Sequence, residues 1–387
     1  MQVCDNSLCT GCGVCADACP TGCINIEYDN NGFLQSYVDD DKCIGCNKCK
    51  KVCSALNPNI NNQISRAYKI RRNDNEAIID STSGGVAALI SEYIISNGGV
   101  VVGCGFDDNL VLKHSVAENP LELEAFKGSK YVQSKTRGIY REVKDLLKLE
   151  KTVLFIGTPC QTSALQNFLG QNYDNLYIID LVCHGVSSQK ALDKYIEYIE
   201  HKTNESVISV KFRNKDKGYT NGSGNYMQYI LSDGVETESY QSGFGLWFAA
   251  DLSIRESCYK CNFVSTKRSS DLTLADYNVA DFSEEESLFG ASTVFVNSDK
   301  GSLLLNKIEN SANIKDMNLD SCIKRCTRLY QYSNRPRLRN RFFADLNKKD
   351  AYQLSKIYSM RKILPCKVVL YIRAIEKRIL RILNRKR

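Results

Sequence analysis

The sequence lacks several features that would place it in common classes of protein. None of its apolar runs reaches 18 residues, so we expect no membrane-spanning helix. Its start has neither the basic segment nor the apolar core of a signal peptide, which predicts a cytoplasmic location. It contains only three histidines and no G-x-G-x-x-G segment. A Rossmann-type dinucleotide site is therefore not supported.

Excess positive charge is confined to the C-terminal tail. The net charge is +7, but from Arg361 onward ten Lys and Arg face one acid, Glu376. The tail therefore carries +9 and leaves −2 for the first 360 residues, which counts against a basic nucleic-acid-binding body. Four isoleucines recur in the tail at helical spacing: Ile372, Ile375, Ile379 and Ile382. They predict an amphipathic helix that lies on the inner membrane surface or packs on the protein body or a partner subunit.

Cysteine, by contrast, is abundant, with 18 in 387 residues. Eight of them repeat one spacing, C-x2-C-x2-C-x3-C: Cys9, Cys12, Cys15, Cys19, Cys43, Cys46, Cys49 and Cys53. This spacing is typical of bacterial ferredoxins with two [4Fe-4S] clusters, in which the fourth cysteine of each run binds the other cluster. The first cluster is thus assigned to Cys9, Cys12, Cys15 and Cys53, and the second to Cys43, Cys46, Cys49 and Cys19. Zinc and disulfides fit a third evenly spaced cysteine poorly, and thiolate ligands agree with a reducing cytoplasm.

The order of predicted elements indicates a small α+β domain followed by an α/β domain. Between the cysteine runs, alternating residues on either side of Asn30-Asn31-Gly32 predict a hairpin. Further on, short apolar runs alternate with helical patterns, which predicts β-α-β units and a mostly parallel sheet with an inserted α+β hairpin region at 207–240. The expected division is residues 1–55, ferredoxin-like domain; 56–66, linker; 67–150 and 151–332, the two halves of the α/β domain; and 333–387, a basic helical tail.

Four further cysteines form a second candidate site. Cys160 and Cys183 each follow a predicted parallel strand, and the carboxyl ends of such strands share one edge of a sheet, where ligands bind. Cys258 and Cys261 add a C-x2-C pair. From the residues alone, the four predict a third cluster, a thiol–disulfide pair or buried apolar side chains, with zinc a weaker alternative. The remaining cysteines are interpreted as structural thiols: Cys4, Cys23, Cys104, Cys322, Cys326 and Cys366.

Seven segments resemble, in order, the family of beta subunits of coenzyme F-420 hydrogenases and dehydrogenases. They are STSGG (81–85), KGSKYVQS (127–134), GTPCQ (157–161), DLVCHGVSS (180–188), VKFRNK (210–215), CYKC (258–261) and DLTLADY (271–277). The resemblance implies a flavin, usually FAD, and a [4Fe-4S] cluster held by Cys160, Cys183, Cys258 and Cys261. Where the family tends to have Gly-Asp-Phe-Trp, this chain has Ala275-Asp276-Tyr277-Asn278. Asp276 is kept but the aromatic residues differ, which leaves the substrate open.

All the candidate flavin contacts except Asp276 lie in the first half of the α/β domain. Ser81, Thr82, Ser83, Gly84 and Gly85 precede a predicted helix, whose free N–H groups suit a phosphate, although an ordinary helix cap gives the same pattern. Ser129, Lys130 and Tyr131 offer a cation and an aromatic ring, and Asp276 completes the set. Lys130 and His184 are the expected catalytic residues. His184, beside Cys183, predicts a hydrogen bond to a cluster sulfur, a proton shuttle or a structural histidine.

These features together predict an iron–sulfur flavoprotein oxidoreductase. It would relay electrons between the ferredoxin-type clusters and FAD, and exchange them with a small deazaflavin-like or other redox partner. A redox partner protein or subunit is also expected, and no nucleic acid. The main alternative is an adapter subunit that delivers electrons to a partner enzyme without a substrate site of its own; a redox sensor anchored by its tail is another. No nickel motif is present, so hydrogen chemistry is not expected on this chain.

Overall fold

The N-terminal domain is built around its two cysteine loops. The computed structural model describes residues 2–220, 226–239, 242–277, 279–359 and 363. The domain consists of helix α1 (Val14–Ala18), strands β1 (Ile24–Tyr28) and β2 (Leu34–Val38), and helix α2 (Lys48–Val52). The two strands form the predicted antiparallel hairpin, which turns through Gly32 at a φ of 79°. Each helix starts directly inside a cysteine run. Cys15, Cys19 and Cys53 are buried in one small core with Cys43 and Cys49 packed against it, whereas Cys12 packs with α5 and α6.

The remaining elements form an α/β domain. Its strands are β3 (Asn62–Gln63), β4 (Arg66–Arg72), β5 (Val100–Phe106), β6 (Leu112–Ala117), β7 (Val153–Ile156), β8 (Leu176–Leu181), β9 (Val207–Lys211), β10 (Tyr226–Leu231), β11 (Val235–Ser239), β12 (Lys267–Arg268), β13 (Leu272–Asp276), β14 (Ser292–Val296) and β15 (Ala312–Met317). Its helices are α3 (Val86–Ser96), α4 (Pro120–Leu123), α5 (Ile139–Lys148), α6 (Pro159–Leu169), α7 (Gln189–Thr203), α8 (Gly243–Ala249), α9 (Glu284–Phe289), α10 (Asp299–Asn306), α11 (Leu319–Arg325), α12 (Arg339–Leu346) and α13 (Ala351–Ile357).

Eight strands form one mixed sheet in the order β15-β4-β14-β13-β8-β7-β5-β6. The pairs β13–β8, β8–β7 and β7–β5 are parallel, and the outer pairs are antiparallel. The expected parallel sheet is therefore confirmed at its centre, whereas its edges differ. The edge strand β6 follows β5 through a short turn, and such a turn can only join antiparallel neighbours.

Alternation along the central strands divides the core between the two faces of the sheet. Val101 and Leu154 face one core, which α3 and α10 cover, while Val100 and Val153 face the other, which α5 and α6 cover. Because both faces are covered, the central strands consist of nearly continuous apolar residues. This arrangement leaves the carboxyl ends of β7, β8 and β13 together at one edge of the sheet.

A third group of apolar residues lies under the inserted region. Strands β9, β10 and β11 form a separate antiparallel sheet within the region where hairpin-like segments were predicted. Phe212, Tyr229 and Trp247 pack there with α7, α12 and α13, all three rings being nearly inaccessible to solvent. The insertion thereby covers one side of the strand ends.

The segment predicted as a linker is docked on the α/β domain. Its strand β3 pairs with β12, Ile64 is buried, and the Asn59 amide donates to Ser163 Oγ at 2.8 Å. In the tail, α12 and α13 pack on the body, but the predicted amphipathic helix at 368–382 lies outside the described residues. Among those residues, no helix is long and apolar enough to cross a membrane.

The N-terminal domain is held against the α/β domain by a buried carboxylate. Helix α5 has Gly138 at its N-cap and no side-chain cap of its own. Asp17 supplies one from the other domain, accepting from the Gly138 amide at 2.7 Å and from the Tyr140 amide at 3.1 Å. Burial raises the pKa of Asp17, against the effect of these donors. Arg141 also donates to the Asp17 carbonyl at 2.6 Å, so the first cysteine run is fixed relative to the sheet.

Candidate cluster and cofactor sites

The N-terminal thiols fall into two groups that match the assignment from spacing. Burial, and then the charges of Cys12, Cys9 and Cys53, raise the pKa of Cys15 well above its usual value, so these four thiols lie within electrostatic range of one another. The other four predicted ligands line one small cavity: Cys19, Cys43, Cys46 and Cys49. The fourth cysteine of each run therefore joins the other group. Among the described residues, no three histidine, cysteine or acidic side chains are spaced for a single metal ion.

The two groups differ in exposure. Cys9, Cys12, Cys15 and Cys53 are all buried. In the second group Cys19 is buried, Cys43 and Cys49 are half-buried and Cys46 is exposed. Near Cys46, Ile44 is also 68% exposed. The second group therefore lies at the surface, and the first lies between it and the α/β domain.

Two cysteines that were predicted to be structural thiols lie against these groups. The Cys23 sulfur is 3.4 Å from the Cys19 sulfur. A thiol–thiol hydrogen bond from Cys4 is the main reason that the pKa of Cys9 falls to about 6 and that of Cys53 to about 7. Neither Cys4 nor Cys23 has a repeated spacing, so nothing in the sequence pattern separates them from ordinary buried cysteines.

The four remaining candidate ligands converge at the strand ends, as the α/β order predicts. Burial, followed by the charges of Cys258, Cys160 and Cys261, raises the pKa of Cys183 well above its usual value. All four thiols line one large cavity. Cys160 lies in the first turn of α6, where Thr158 and Gln161 form a capping box and the Thr158 hydroxyl is 3.2 Å from its sulfur. A helix N-terminus favours a thiolate, but at Cys160 burial outweighs this effect and raises the pKa.

A buried ion pair holds the loop after Cys261 on the end of β8. Arg268 contacts Asp180 at 2.9 Å, and the two side chains are 2% and 0% exposed. Arg268 also donates to the Leu181 carbonyl at 3.0 Å and to the Ser265 carbonyl at 3.3 Å. Cys183 and the C-x2-C pair are therefore fixed by one network, since Asp180 lies next to the end of the strand that leads to Cys183.

The third set of thiols is adjacent to the first N-terminal group. Burial raises the pKa of Cys160 to about 12, and the Cys12 charge contributes to that rise. Burial, followed by the charges of Cys12 and Cys160, raises the pKa of Tyr140 well above its usual value. The Tyr140 hydroxyl donates to the Cys12 carbonyl at 2.8 Å. On the opposite side, the Asn262 amide donates to the Ala55 carbonyl at 3.1 Å. The domain contact thus brings the first group and the third set next to each other.

The large cavity has a volume of about 630 Å³, within the usual range for cofactor sites. The segment 81–85 forms one wall. Helix α3 begins after Gly85, in the left-handed region at a φ of 76°, and has no side-chain cap. Thr82 Oγ1 accepts from the Ser129 amide at 2.5 Å and Ser83 Oγ donates to the Ala291 carbonyl at 2.6 Å. The Ser81 hydroxyl is buried without a partner among the described residues.

Close packing fixes the shape of that wall. A Cβ on Gly84 would lie 2.4 Å from the Ile70 carbonyl oxygen, so only glycine fits there. Lys215 donates from Nζ to the carbonyls of Ser83 at 2.7 Å and Ile78 at 2.8 Å. Burial, and then the neighbouring Arg213, lower the pKa of Lys215 to about 7. The lysine of the 210–215 segment therefore supports the loop rather than pointing at a ligand.

The other candidate contacts all reach the cavity but differ in their partners. Lys130 donates from Nζ to the Lys127 carbonyl at 2.8 Å, and burial lowers its pKa. Tyr131 stacks on Phe248 with centroids 4.6 Å apart. Asp276 accepts from Arg213 at 2.7 Å and is half exposed. All of them line the cavity together with Ser129.

His184 is held by two charged side chains. Its Nε2 is 2.6 Å from Asp251 Oδ1, and its Nδ1 is 3.3 Å from Arg328 Nη2. Because arginine only donates, Nδ1 accepts in this arrangement and Nε2 carries the proton that it shares with Asp251. Both ring nitrogens are thus engaged by side chains other than cysteine, which favours a proton-handling or positioning role over a hydrogen bond to sulfur.

His114 is a cavity residue that sequence reasoning missed. Its Nε2 donates to the Ile156 carbonyl at 3.1 Å, so the buried Nδ1 is an acceptor, and it has no partner among the described residues. Burial lowers its pKa to about 4, which keeps the ring neutral. It pairs across the sheet with Cys104, and both line the cavity. The only usable signal was its place on an edge strand beside a cysteine.

Comparison with known proteins gives two family matches. Residues 150–321 match the family described as the C terminus of the coenzyme F420 hydrogenase/dehydrogenase beta subunit. Residues 8–56 match the family described as "4Fe-4S dicluster domain". The second match supports iron–sulfur clusters in the N-terminal domain, in agreement with the cysteine spacing.

Three characterised relatives are similar at low identity. The F subunit of the F(420)H(2) dehydrogenase of Methanosarcina mazei is 23% identical over 54% of this chain and 63% of its own length. The beta subunit of the coenzyme F420 hydrogenase of Methanococcus voltae is 21% identical over 66% of this chain and 84% of its own length. The coenzyme F420-dependent sulfite reductase of Methanocaldococcus jannaschii is 25% identical over 80% of this chain and 47% of its own length. The chain therefore matches less than two thirds of the first of these relatives and about half of the third.

One solved structure is also similar. A chain from the F420-reducing [NiFe] hydrogenase complex of Methanosarcina barkeri superposes with a TM-score of 0.48 at 18% identity. The superposition covers 70% of this chain and 90% of that one.

Proposed function

We propose that this chain, which joins a 4Fe-4S dicluster domain to a coenzyme F420 hydrogenase/dehydrogenase beta-subunit domain, is an iron–sulfur flavin-dependent oxidoreductase. It would relay electrons between two N-terminal [4Fe-4S] clusters, a third cluster and FAD, and exchange them with a small deazaflavin-like or other redox partner. The observation that carries this proposal is the convergence of Cys160, Cys183, Cys258 and Cys261 on the wall of the large cavity.

The arrangement of the three thiol sets supports a linear electron path. The second N-terminal group, with Cys46, is exposed and would receive or release electrons at the surface. The first group is buried at the domain contact, where Cys12 lies within electrostatic range of Cys160. The third set borders the cavity. Each step would therefore connect neighbouring sites, and a redox partner protein or subunit would dock at the Cys46 end.

The cavity residues fit a flavin nucleotide. Among the described residues, the Ser81 hydroxyl has no partner and the amides at the start of α3 have no side-chain cap, and these donors suit a pyrophosphate. Tyr131 would contact the flavin ring system, and the neutral His114 offers an acceptor at Nδ1 for a ring N–H. A bound flavin supplies the exchange between single electrons and a hydride, which clusters alone cannot provide.

His184 would handle the proton that accompanies hydride chemistry. It borders the cavity, and its Nε2 shares a proton with Asp251 over 2.6 Å. Arg328 fixes the other nitrogen, so the ring is oriented before any ligand binds. Lys130 would keep a positive charge near the flavin while its ammonium caps backbone carbonyls.

Anaerobic purification after iron reconstitution tests the proposal. Iron, sulfide and released flavin are measured on the same sample. About twelve iron atoms with one FAD per chain are expected for three [4Fe-4S] clusters. About eight iron atoms without flavin would refute it and leave an adapter that passes electrons to a partner enzyme.

A further inference from the structure

Arg255 is a buried cation that connects the two domains. Its side chain is 2% exposed. The guanidinium donates to the Cys9 carbonyl at 2.7 Å, the Leu34 carbonyl at 2.6 Å and Gln133 Oε1 at 2.8 Å. Its own carbonyl accepts from the Cys258 amide at 3.1 Å. One residue therefore contacts the loop of the first N-terminal group and the loop of the third set.

The guanidinium has only neutral partners among the described residues. Two carbonyls and one amide accept its hydrogen bonds, and its Cζ lies 5.7 Å from the centre of the Phe33 ring. The other deeply buried arginines are paired differently: Arg268 contacts Asp180 and Arg339 contacts Glu256. A buried charge without a counter-ion is strongly unfavourable. Arg255 therefore requires a negatively charged partner, and no carboxylate among the described residues pairs with it.

The thiols near Arg255 are the candidates for that negative group. The guanidinium packs against the first cysteine loop, where a Cβ on Gly11 would lie 2.8 Å from its Nη1, and it donates to the Cys9 carbonyl. The backbone carbonyl of Arg255 accepts from the amide of Cys258, a ligand of the third set. In the second N-terminal group Cys46 is exposed, so water screens the charge there. Arg255 is therefore within range of the first group and of the third set.

We propose that Arg255 is a positioning residue whose buried positive charge raises the reduction potentials of the first N-terminal cluster and the third cluster relative to the exposed second cluster. This inference rests on the proposed function, because it takes the three thiol sets as cluster ligands. A four-thiolate cluster becomes more negative when it is reduced, and a fixed positive charge stabilises that form most in a site that excludes water. The electron would then be held preferentially at the two clusters that lead to the cavity.

The test is a redox titration of the intact, iron-reconstituted chain, followed by electron paramagnetic resonance. Arg255→Gln removes the charge. At a fixed potential, it should lower the ratio of reduced to oxidised cluster at least tenfold for two of the three signals, which equals about 59 mV for one electron. The signal of the second cluster should be unchanged. Arg255→Lys keeps the charge and should restore most of the shift.

A second pair of variants separates charge from mechanical linkage. Gln133→Glu leaves Arg255 in place, puts a carboxylate against it and loses the hydrogen bond that Gln133 Nε2 donates to the Thr10 carbonyl of the other domain. Gln133→Leu loses the same interdomain hydrogen bond, together with the contact to Arg255, without adding charge. The account expects Gln133→Glu to lower the same two potentials and Gln133→Leu to leave them near those of the unaltered chain. If Arg255→Gln fails to fold or to retain iron, this pair of variants still shows whether the charge of Arg255 sets the two potentials.

Three results would overturn the inference. The first is that neither Arg255→Gln nor Gln133→Glu shifts any signal. The second is that all three signals shift together, and the third is that Gln133→Leu matches Gln133→Glu, as a purely structural role would predict. If the unaltered chain shows only two clusters, the proposed third cluster fails. The inference would then be decided by whether Arg255→Gln shifts one of the two remaining signals.

Discussion

The buried His114 gives the chain a specific dependence on pH. Burial lowers its pKa from the usual value to about 4, because the ring loses water and only the Ile156 carbonyl compensates at Nε2. A histidine with a lowered pKa contributes stability that is present above its unfolded pKa of about 6.5 and lost as the pH falls toward 4. The difference between the two pKa values corresponds to about 3 kcal/mol in the free energy of unfolding. About 2 kcal/mol of this would be lost between pH 7 and pH 5.

Chemical denaturation of matched variants measures this contribution. His114→Gln cannot be protonated in this range, so its free energy of unfolding should fall by about 2 kcal/mol less between pH 7 and pH 5 than that of the unaltered chain. His201→Gln, at an exposed position on α7, is the control and should behave as the unaltered chain does. Comparing variants with equal iron content cancels the acid sensitivity of the clusters. Equal pH dependence in the unaltered chain and His114→Gln would refute the buried, neutral state of this ring.

Three further variants test the network around the sites. Asp180→Ala leaves Arg268 as an uncompensated buried charge and should cost about 3–5 kcal/mol in denaturation experiments, with loss of the third cluster's iron. Ser81→Ala should leave the melting temperature nearly unchanged, because the hydroxyl has no partner among the described residues, but should reduce the flavin retained on gel filtration. Asp17→Asn weakens the cap on α5 across the domain contact and should cost about 1 kcal/mol and speed proteolysis between the domains.

Each of these has an outcome that would contradict it. Retention of all the iron in a stable Asp180→Ala chain would show that the C-x2-C loop does not depend on the ion pair. For Ser81, the comparison is Ser83→Ala, which breaks a bond to the Ala291 carbonyl. If Ser83→Ala lost flavin and Ser81→Ala did not, the free hydroxyl would not be the phosphate contact. An Asp17→Asn chain that resists proteolysis as well as the unaltered chain would remove the carboxylate from the domain contact.

Local spacing and strand order carried most of what the sequence could predict. The two cysteine runs fix their own loop geometry, so the grouping of Cys19 and Cys53 with the opposite runs follows from spacing and agrees with the structure. The order of strands and helices placed Cys160 and Cys183 at one edge of the sheet, because consecutive parallel strands end on the same side.

Contacts between distant parts of the chain were beyond sequence reasoning. Asp17 looks like any acidic residue in a short helix until α5 is brought against it. Arg255 stands close to Cys258 in sequence, yet its significance depends on Cys9, 246 residues away. The predicted linker gains its strand β3 only because β12 provides a partner. Such pairings arise from tertiary packing and leave no period or motif in the sequence.

The most direct test of the account is the iron content of a chain that lacks one ligand of the third set. Cys183→Ser is compared with the unaltered chain and with Cys326→Ser, which removes a half-buried cysteine outside the three sets. The account predicts a loss of about four iron atoms for Cys183→Ser, with the two N-terminal clusters kept and reduction of the flavin slowed, and no loss for Cys326→Ser. Equal iron content and equal flavin reduction in all three chains would contradict it.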